Sequence, residues 1–147
     1  MSIFKSINIS ASGLTAERFR MDIISKNIAN ANTTRTVNGT PYRRQVVVFK
    51  TKDDNMSFSE YLKHAKGKES NLMGVEITSI QDDPSPFKEV YDPGHPDADE
   101  NGYVSMPNVD IVSEMANLIS ASRAYEANVT AINGTKAMVL KALEIGK

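Results

Sequence analysis

All six prolines of this 147-residue chain lie between positions 41 and 107: Pro41, Pro84, Pro86, Pro93, Pro96 and Pro107. Proline removes a backbone donor and clashes with the preceding helical turn, so only the two flanks are open to uninterrupted helix. Seven of the ten aromatic residues share the proline-bearing window, and aromatic side chains favour strands. The partition predicts an α+β chain in three parts: an N-terminal helical segment over 1–35, a β-rich middle region with an extended arm over 36–107, and a C-terminal helical segment over 108–147.

The flanks carry the expected period. Ile7, Leu14, Met21 and Ile28 recur every seven residues, with Phe4 and Ala11 partly filling the companion row and Arg18 and Ser25 interrupting it. The stripe runs into Asn27-Ile28-Ala29-Asn30-Ala31-Asn32-Thr33-Thr34, where side chains that compete for backbone hydrogen bonds should end the helix. At the other end Ile111, Leu118, Tyr125, Ile132 and Val139 keep the same spacing, accompanied by Met115, Val129 and Leu143. Pro107-Asn108 offers a stop and a cap, and Gly146 an exit, giving a helix of about 35 residues or ~50 Å. Gly134 is its weak point, costing about 1 kcal/mol against Ala in a helix interior.

Between the flanks, the Val-rich run from Arg44 to Phe49 follows the turn signals Asn38-Gly39 and Pro41 and predicts one strand. Val75 to Ile80 alternates and predicts a second. Lys50 to Leu72 is polar, with charges of both signs, and is expected to be a loop or irregular insertion. Asp82 to Pro107 holds five prolines plus Gly94 and Gly102 and predicts an extended arm with little regular structure.

Composition narrows the function classes. Seventeen basic residues against eighteen acidic ones give a net charge of −1, and no basic run exceeds Arg43-Arg44, so there is no field to gather nucleic acid. The absence of cysteine excludes disulfides, zinc thiolates and a thiol nucleophile. Apolar runs stop at four residues, far short of a membrane span or a secretory leader, so export would need another route.

The densest polar cluster is Asp92 to Gly102. Asp97, Asp99, Asn101 and Gly102 occupy positions one, three, five and six of a calcium-loop pattern, but its twelfth position is Asn108 where a bidentate Glu is needed, and Pro93 and Pro96 forbid a preceding helix. A turn built from Asp, Asn and Gly accounts for the same residues. His95 beside Asp92 or Asp97 lacks any nucleophile motif, and His64 in the insertion carries less signal still. The residues predict no catalytic, cofactor or metal site, with a calcium-binding module centred on Asp92–Gly102 as the competing reading.

Two heptad-striped helices can close as an antiparallel, coiled-coil-like hairpin. Ile3, Ile9, Ile23 and Ile24 in the first, and Val112, Ile119, Met138 and Leu140 in the second, lie off that seam. This surplus either packs on the middle region, giving a small bundle capped by a β segment, or is covered by neighbouring subunits, or serves a soluble coiled-coil adaptor. The stripe residues named above are therefore candidates for an assembly interface. The Arg123 and Glu126 pair, one turn apart, and the side-chain amides of Asn27 and Asn30 join them, each with a bland local role as alternative.

Ala11-Ser12-Gly13-Leu14-Thr15-Ala16 through Asn27–Thr34 resembles the N-terminal motif of the flagellar rod, hook and hook-associated axial proteins. PYRRQVVVF at 41–49, DDPSPFKEVYDPGHPDADENGYVSMPNVD at 82–110 and EMANLISASRAYEANVTAINGTKAMVLKALEIGK at 114–147 look like a proximal-rod member of that family. The resemblance spans about 130 residues and leaves 50–73 weakly anchored. It implies a non-enzymatic, self-associating subunit of the basal-body rod, exported through the flagellar type III apparatus without a cleaved leader and polymerised into the shaft crossing the periplasm. It further implies that the terminal helices form an inner tube with the middle region outside. The implied neighbours are the rod proteins FlgB, FlgF and FlgG and the adaptor FliE.

Overall fold

The computed structural model describes residues 3–52 and 74–145. Among these described residues six elements follow in order: α1 (Ile3–Ala29), β1 (Gln45–Thr51), β2 (Val75–Asp82), β3 (Lys88–Tyr91), β4 (Tyr103–Met106) and α2 (Ile111–Ile145). The α+β class and the three-part order agree with the proline partition. Most of the polar insertion, including His64, lies outside the described residues.

α1 ends at the Asn/Thr run. Asn30 Nδ2 donates to the Lys26 carbonyl at 2.9 Å, adding a side-chain bond to an oxygen that also takes the Asn30 backbone N–H at 3.1 Å. α2 runs 35 residues, about 52 Å at 1.5 Å per residue, and passes through Gly134 unbroken. Its cap differs from expectation. Asp110, not Asn108, accepts the Ser113 backbone N–H at 3.3 Å and the Ser113 hydroxyl at the helix start. Those two bonds, from the Ser113 hydroxyl first and its N–H second, hold the Asp110 carboxyl below its usual range. Asn108 is instead drawn away from the helix, its Oδ1 accepting from the Arg44 N–H at 2.8 Å.

The helices pair antiparallel. Asn27 near the end of α1 meets Glu114 near the start of α2, and Gly13 meets Asn128. A Cβ on Gly13 would stand 3.1 Å from Asn128 Nδ2, so glycine is what lets the helices approach there. Gly13 and Asn27 are two heptads apart, as are Glu114 and Asn128, with Ala121 midway and fully buried. The line of closest approach is thus small and polar rather than apolar. Small side chains bring the two backbones together, and the larger stripe residues flank the contact: Ile7, Leu14, Met21, Ile28, Leu118, Tyr125, Val129, Ile132 and Val139 are all half-buried.

β1 and β2 pair antiparallel, Gln45 opposite Asp82 through Thr51 opposite Val75, with an irregularity between Val48 and Phe49. The sheet lies against α1. Ser12 Oγ donates to the Ile9 carbonyl at 2.7 Å and accepts the Val75 N–H at 3.0 Å, pinning the start of β2 to the helix. Ile23 and Ile24, surplus to the heptad seam, face β1 and are buried, so the middle region covers that part of the excess.

The arm is more ordered than its prolines suggest. β3 and β4 form a second antiparallel pair, Lys88 opposite Met106 through Tyr91 opposite Tyr103, closed by an edge-to-face contact of the two tyrosines at 5.3 Å. Asp99 Oδ1 accepts the N–H groups of Asn101 and Tyr103 at 2.9 and 2.8 Å, and Gly102 takes φ +81°, so the connecting turn is folded from Asx bonds that also supply its return. The small core sits where the arm, the loop after α1 and the start of α2 converge, on Ala31, Tyr42 and Val109, with Val104 and Pro107 also buried.

Candidate functional site: a polar joint and an open apolar face

Asn27 and Glu114 are buried almost completely, at 0% and 1% exposure, at the end of the hairpin where α1 stops and α2 begins. Burying a carboxylate and an amide is costly unless each polar atom is partnered, and here each is. Asn27 Nδ2 donates to Glu114 Oε2 at 2.8 Å and to the Gln45 carbonyl at 2.9 Å, while its Oδ1 accepts from Tyr42 Oη at 2.9 Å and the Gln45 N–H at 3.0 Å. Glu114 Oε1 receives Arg44 Nη2 at 2.7 Å and Nε at 3.0 Å. The far side of the same guanidinium reaches Asp83 Oδ2 through Nη1 at 3.0 Å.

The arm is tied into the same joint. Arg43 Nη1 donates to the carbonyls of Asp83 and Ser85 at 2.8 and 3.1 Å, and its guanidinium stacks 4.4 Å over the Phe87 ring. Asn108 Nδ2 reaches the same two carbonyls. Burial opposes the Arg44 charge, but hydrogen bonds to Glu114 and Asp83 outweigh it and raise its pKa. The Ser85 hydroxyl and N–H, with Arg44 contributing less, hold Asp83 down at about 2. Tyr42 is pushed up by burial first, then by the carboxylates of Asp82 and Glu114.

The other feature is apolar and uncovered. Along α2, Ile111 (43% exposed), Val112 (76%), Met115 (54%) and Ile119 (55%) form one group near the joint. At the far end Met138, Leu140, Leu143 and Ile145 are more than half exposed, on more than one side of the helix, with Phe4 of α1 close to Leu140 at 77% exposure. There Phe4, Ile7, Val139, Leu140 and the Lys136 stem line a groove of about 220 Å³. The register set by Gly13 and Asn128 carries the last turns of α2 past the first described turn of α1, which is why Leu143 and Ile145 have so little cover.

The structure therefore sorts the sequence candidates. Ile111, Met115 and Leu143 are exposed; the remaining stripe residues flank the helix contact. Arg123 and Glu126 are exposed and are not among the ion pairs of the described residues. Asn30 serves the end of α1, and the Asn27 amide is fully engaged within the chain. Glu114, Arg44, Asp83 and Tyr42 were not singled out by pattern. Glu114 stands three residues after Ile111 and four before Leu118, so a charge on the apolar face was the available signal.

The polar turn over Asp92–Gly102 is occupied with its own folding and with the loop after α1. His95 Nδ1 accepts the Asp97 N–H at 3.1 Å, Asp97 Oδ2 accepts the Thr34 hydroxyl at 2.8 Å, and Asp99 closes the turn as described. Among the described residues no group of three His, Cys, Asp or Glu is arranged to hold a metal ion, and no helix is long and apolar enough to cross a membrane.

Comparison with known proteins bears on the whole chain. A family described as "Flagella basal body rod protein" matches residues 7–35, and one described as "Flagellar basal body rod FlgEFG protein C-terminal" matches residues 100–145. The chain is 51% identical to the flagellar basal-body rod protein FlgC of Bacillus subtilis over 152 aligned positions, covering all of both chains. It is 48% identical to that of Borreliella burgdorferi, covering 99% of this chain and 98% of the relative, and 40% identical to that of Salmonella typhimurium over the full length of both.

Proposed function

This chain belongs to the FlgC family of flagellar basal-body rod proteins and is a structural subunit of that rod, and from that membership we propose that it polymerises through the uncovered face of its terminal helices. The observation that carries the reading is the division of the surplus apolar area. The share on α1 at Ile23 and Ile24 is buried under β1, whereas the share on α2 at Val112, Ile119, Met138 and Leu140 stays open to solvent. Covering apolar surface returns about 25 cal/mol per Å², so these exposed residues favour lateral packing of copies and relatives.

In this reading Ile111, Met115 and Leu143 contact neighbours directly. The half-buried Ile7, Leu14, Met21, Ile28, Leu118, Tyr125, Val129, Ile132 and Val139 hold the hairpin that presents them, and Arg123 and Glu126 lie on the accessible surface to pair across subunits. Asn27 and Asn30 act from within, by fixing where α1 ends. The chain has no catalytic role; it serves the proximal rod, which crosses the periplasm, beside FlgB, FlgF, FlgG and FliE, after export through the flagellar type III apparatus. Torque passes through many shared helix contacts rather than any single bond.

Met115→Asp and Leu143→Asp test this. Both positions are exposed, so each variant should change monomer stability by less than about 0.5 kcal/mol while abolishing rod assembly and swimming. Motile cells carrying both substitutions would remove the proposal.

A further inference from the structure

We infer that Tyr42, Arg44 and Gln45 form a latch that makes closure of one end of the helical hairpin conditional on docking of the middle region, and that fixes the register of the two helices. The argument rests on who supplies the partners at the joint. Of the four hydrogen bonds to the Asn27 amide, only the one to Glu114 comes from the other helix; the other three come from Tyr42 Oη and from the N–H and carbonyl of Gln45. The only cation bonded to Glu114 among the described residues is Arg44, its other bonds coming from the amides of Asn27 and, at 3.4 Å, of Asn117 on its own helix. Residues 42–45 both cover and partner these two groups. With them displaced, Asn27 keeps one of its four bonds and Glu114 loses the guanidinium, so closure at this end loses most of the bonds that hold it until the latch is seated.

Residues 42–45 are themselves held by every element that converges there. The Tyr42 N–H donates to the Thr33 carbonyl at 3.0 Å, its ring packs with Ala31 and Val109, and Arg44 is bonded through its N–H to Asn108 and through Nη1 to Asp83. The latch therefore seats only when the loop after α1, the arm and the start of α2 are all in place. At the opposite end Phe4, Ile7, Val139 and Leu140 of the two helices line an apolar groove, a surface that is not directional and would tolerate a slipped register. Register is read at the joint and propagates outward. The inference concerns the single chain and stands whether or not that chain polymerises.

Hydrogen–deuterium exchange on the full-length monomer tests it. Arg44→Gln should raise exchange about tenfold or more over 20–29 and 111–120 together, while 130–140 stays within about twofold of the parent. If Arg44→Gln fails to fold, Tyr42→Phe removes one bond without adding volume and should raise the same two segments together by about threefold. Acceleration confined to 44–51, with both helix ends as protected as in the parent chain, would overturn the inference. So would a Tyr42→Phe variant with unchanged exchange in those segments.

Discussion

The two ends of the helical hairpin are built from opposite materials. At the joint, Asn27 and Glu114 are dry and fully partnered, and the contacts are directional and tie α1, α2, β1 and the arm into one unit. At the open end, Phe4, Leu140, Leu143 and Ile145 are more than half exposed, and the contacts are apolar and non-directional. Directional polar contacts define one geometry at the risk of a large loss if one partner is missing; apolar contacts are forgiving and can be completed by any complementary surface. A subunit that must arrive with a defined shape and then join others has use for one end of each kind.

The sharpest break is at the joint. Asn27→Ala strands the Gln45 N–H and carbonyl, the Tyr42 hydroxyl and one Glu114 oxygen, and should lower unfolding free energy by about 3–4 kcal/mol, measured by urea denaturation of the monomer. Next comes the helix contact itself. Gly13→Leu drives a side chain into Asn128 and should cost about 2 kcal/mol, whereas Gly134→Ala, with nothing within 4 Å of the new Cβ, should stabilise by about 1 kcal/mol. Opposite signs for two glycines of the same hairpin would show that close approach is confined to the line through Gly13.

The smallest effect is acid sensitivity. Asp83 is held at about 2 against a model-peptide value of 3.8, so its contribution is present above pH ~4 and disappears as pH falls through ~2. Asp83→Asn should therefore be less stable than the parent at pH 6, with the difference in urea midpoint shrinking below pH 4 and gone near pH 2. Tyr42, raised by burial, acts at the other extreme, where its contribution is lost as pH rises above 10.

Much of this architecture was legible before any coordinates. Confinement of proline to 41–107 left only the two flanks open to long helices, because proline acts locally, and the Asn/Thr run at 27–34 marked where the first one ends. The strands found at 45–51 and 75–82 were legible as the Val-rich run over 44–49 and the alternating run over 75–80. β3 and β4 did not, because four-residue strands flanked by proline carry little pattern and are closed by Asp99, whose bonds depend on the folded turn. The joint was the least legible. Asn27 looks like any helix terminator, and its partner Glu114 is 87 residues away in the chain. The apolar stripes were visible, but the line of nearest contact runs through Gly13, Ala121 and Asn128, where small size rather than hydrophobicity decides.

Residue-resolved amide exchange of the free, unaltered monomer tests the contrast between the two ends most directly. Slow amides should cluster at 20–29 and 111–125, with those of 3–10 and 135–145 exchanging about a hundredfold faster. Equal protection along both helices from one end to the other would contradict it.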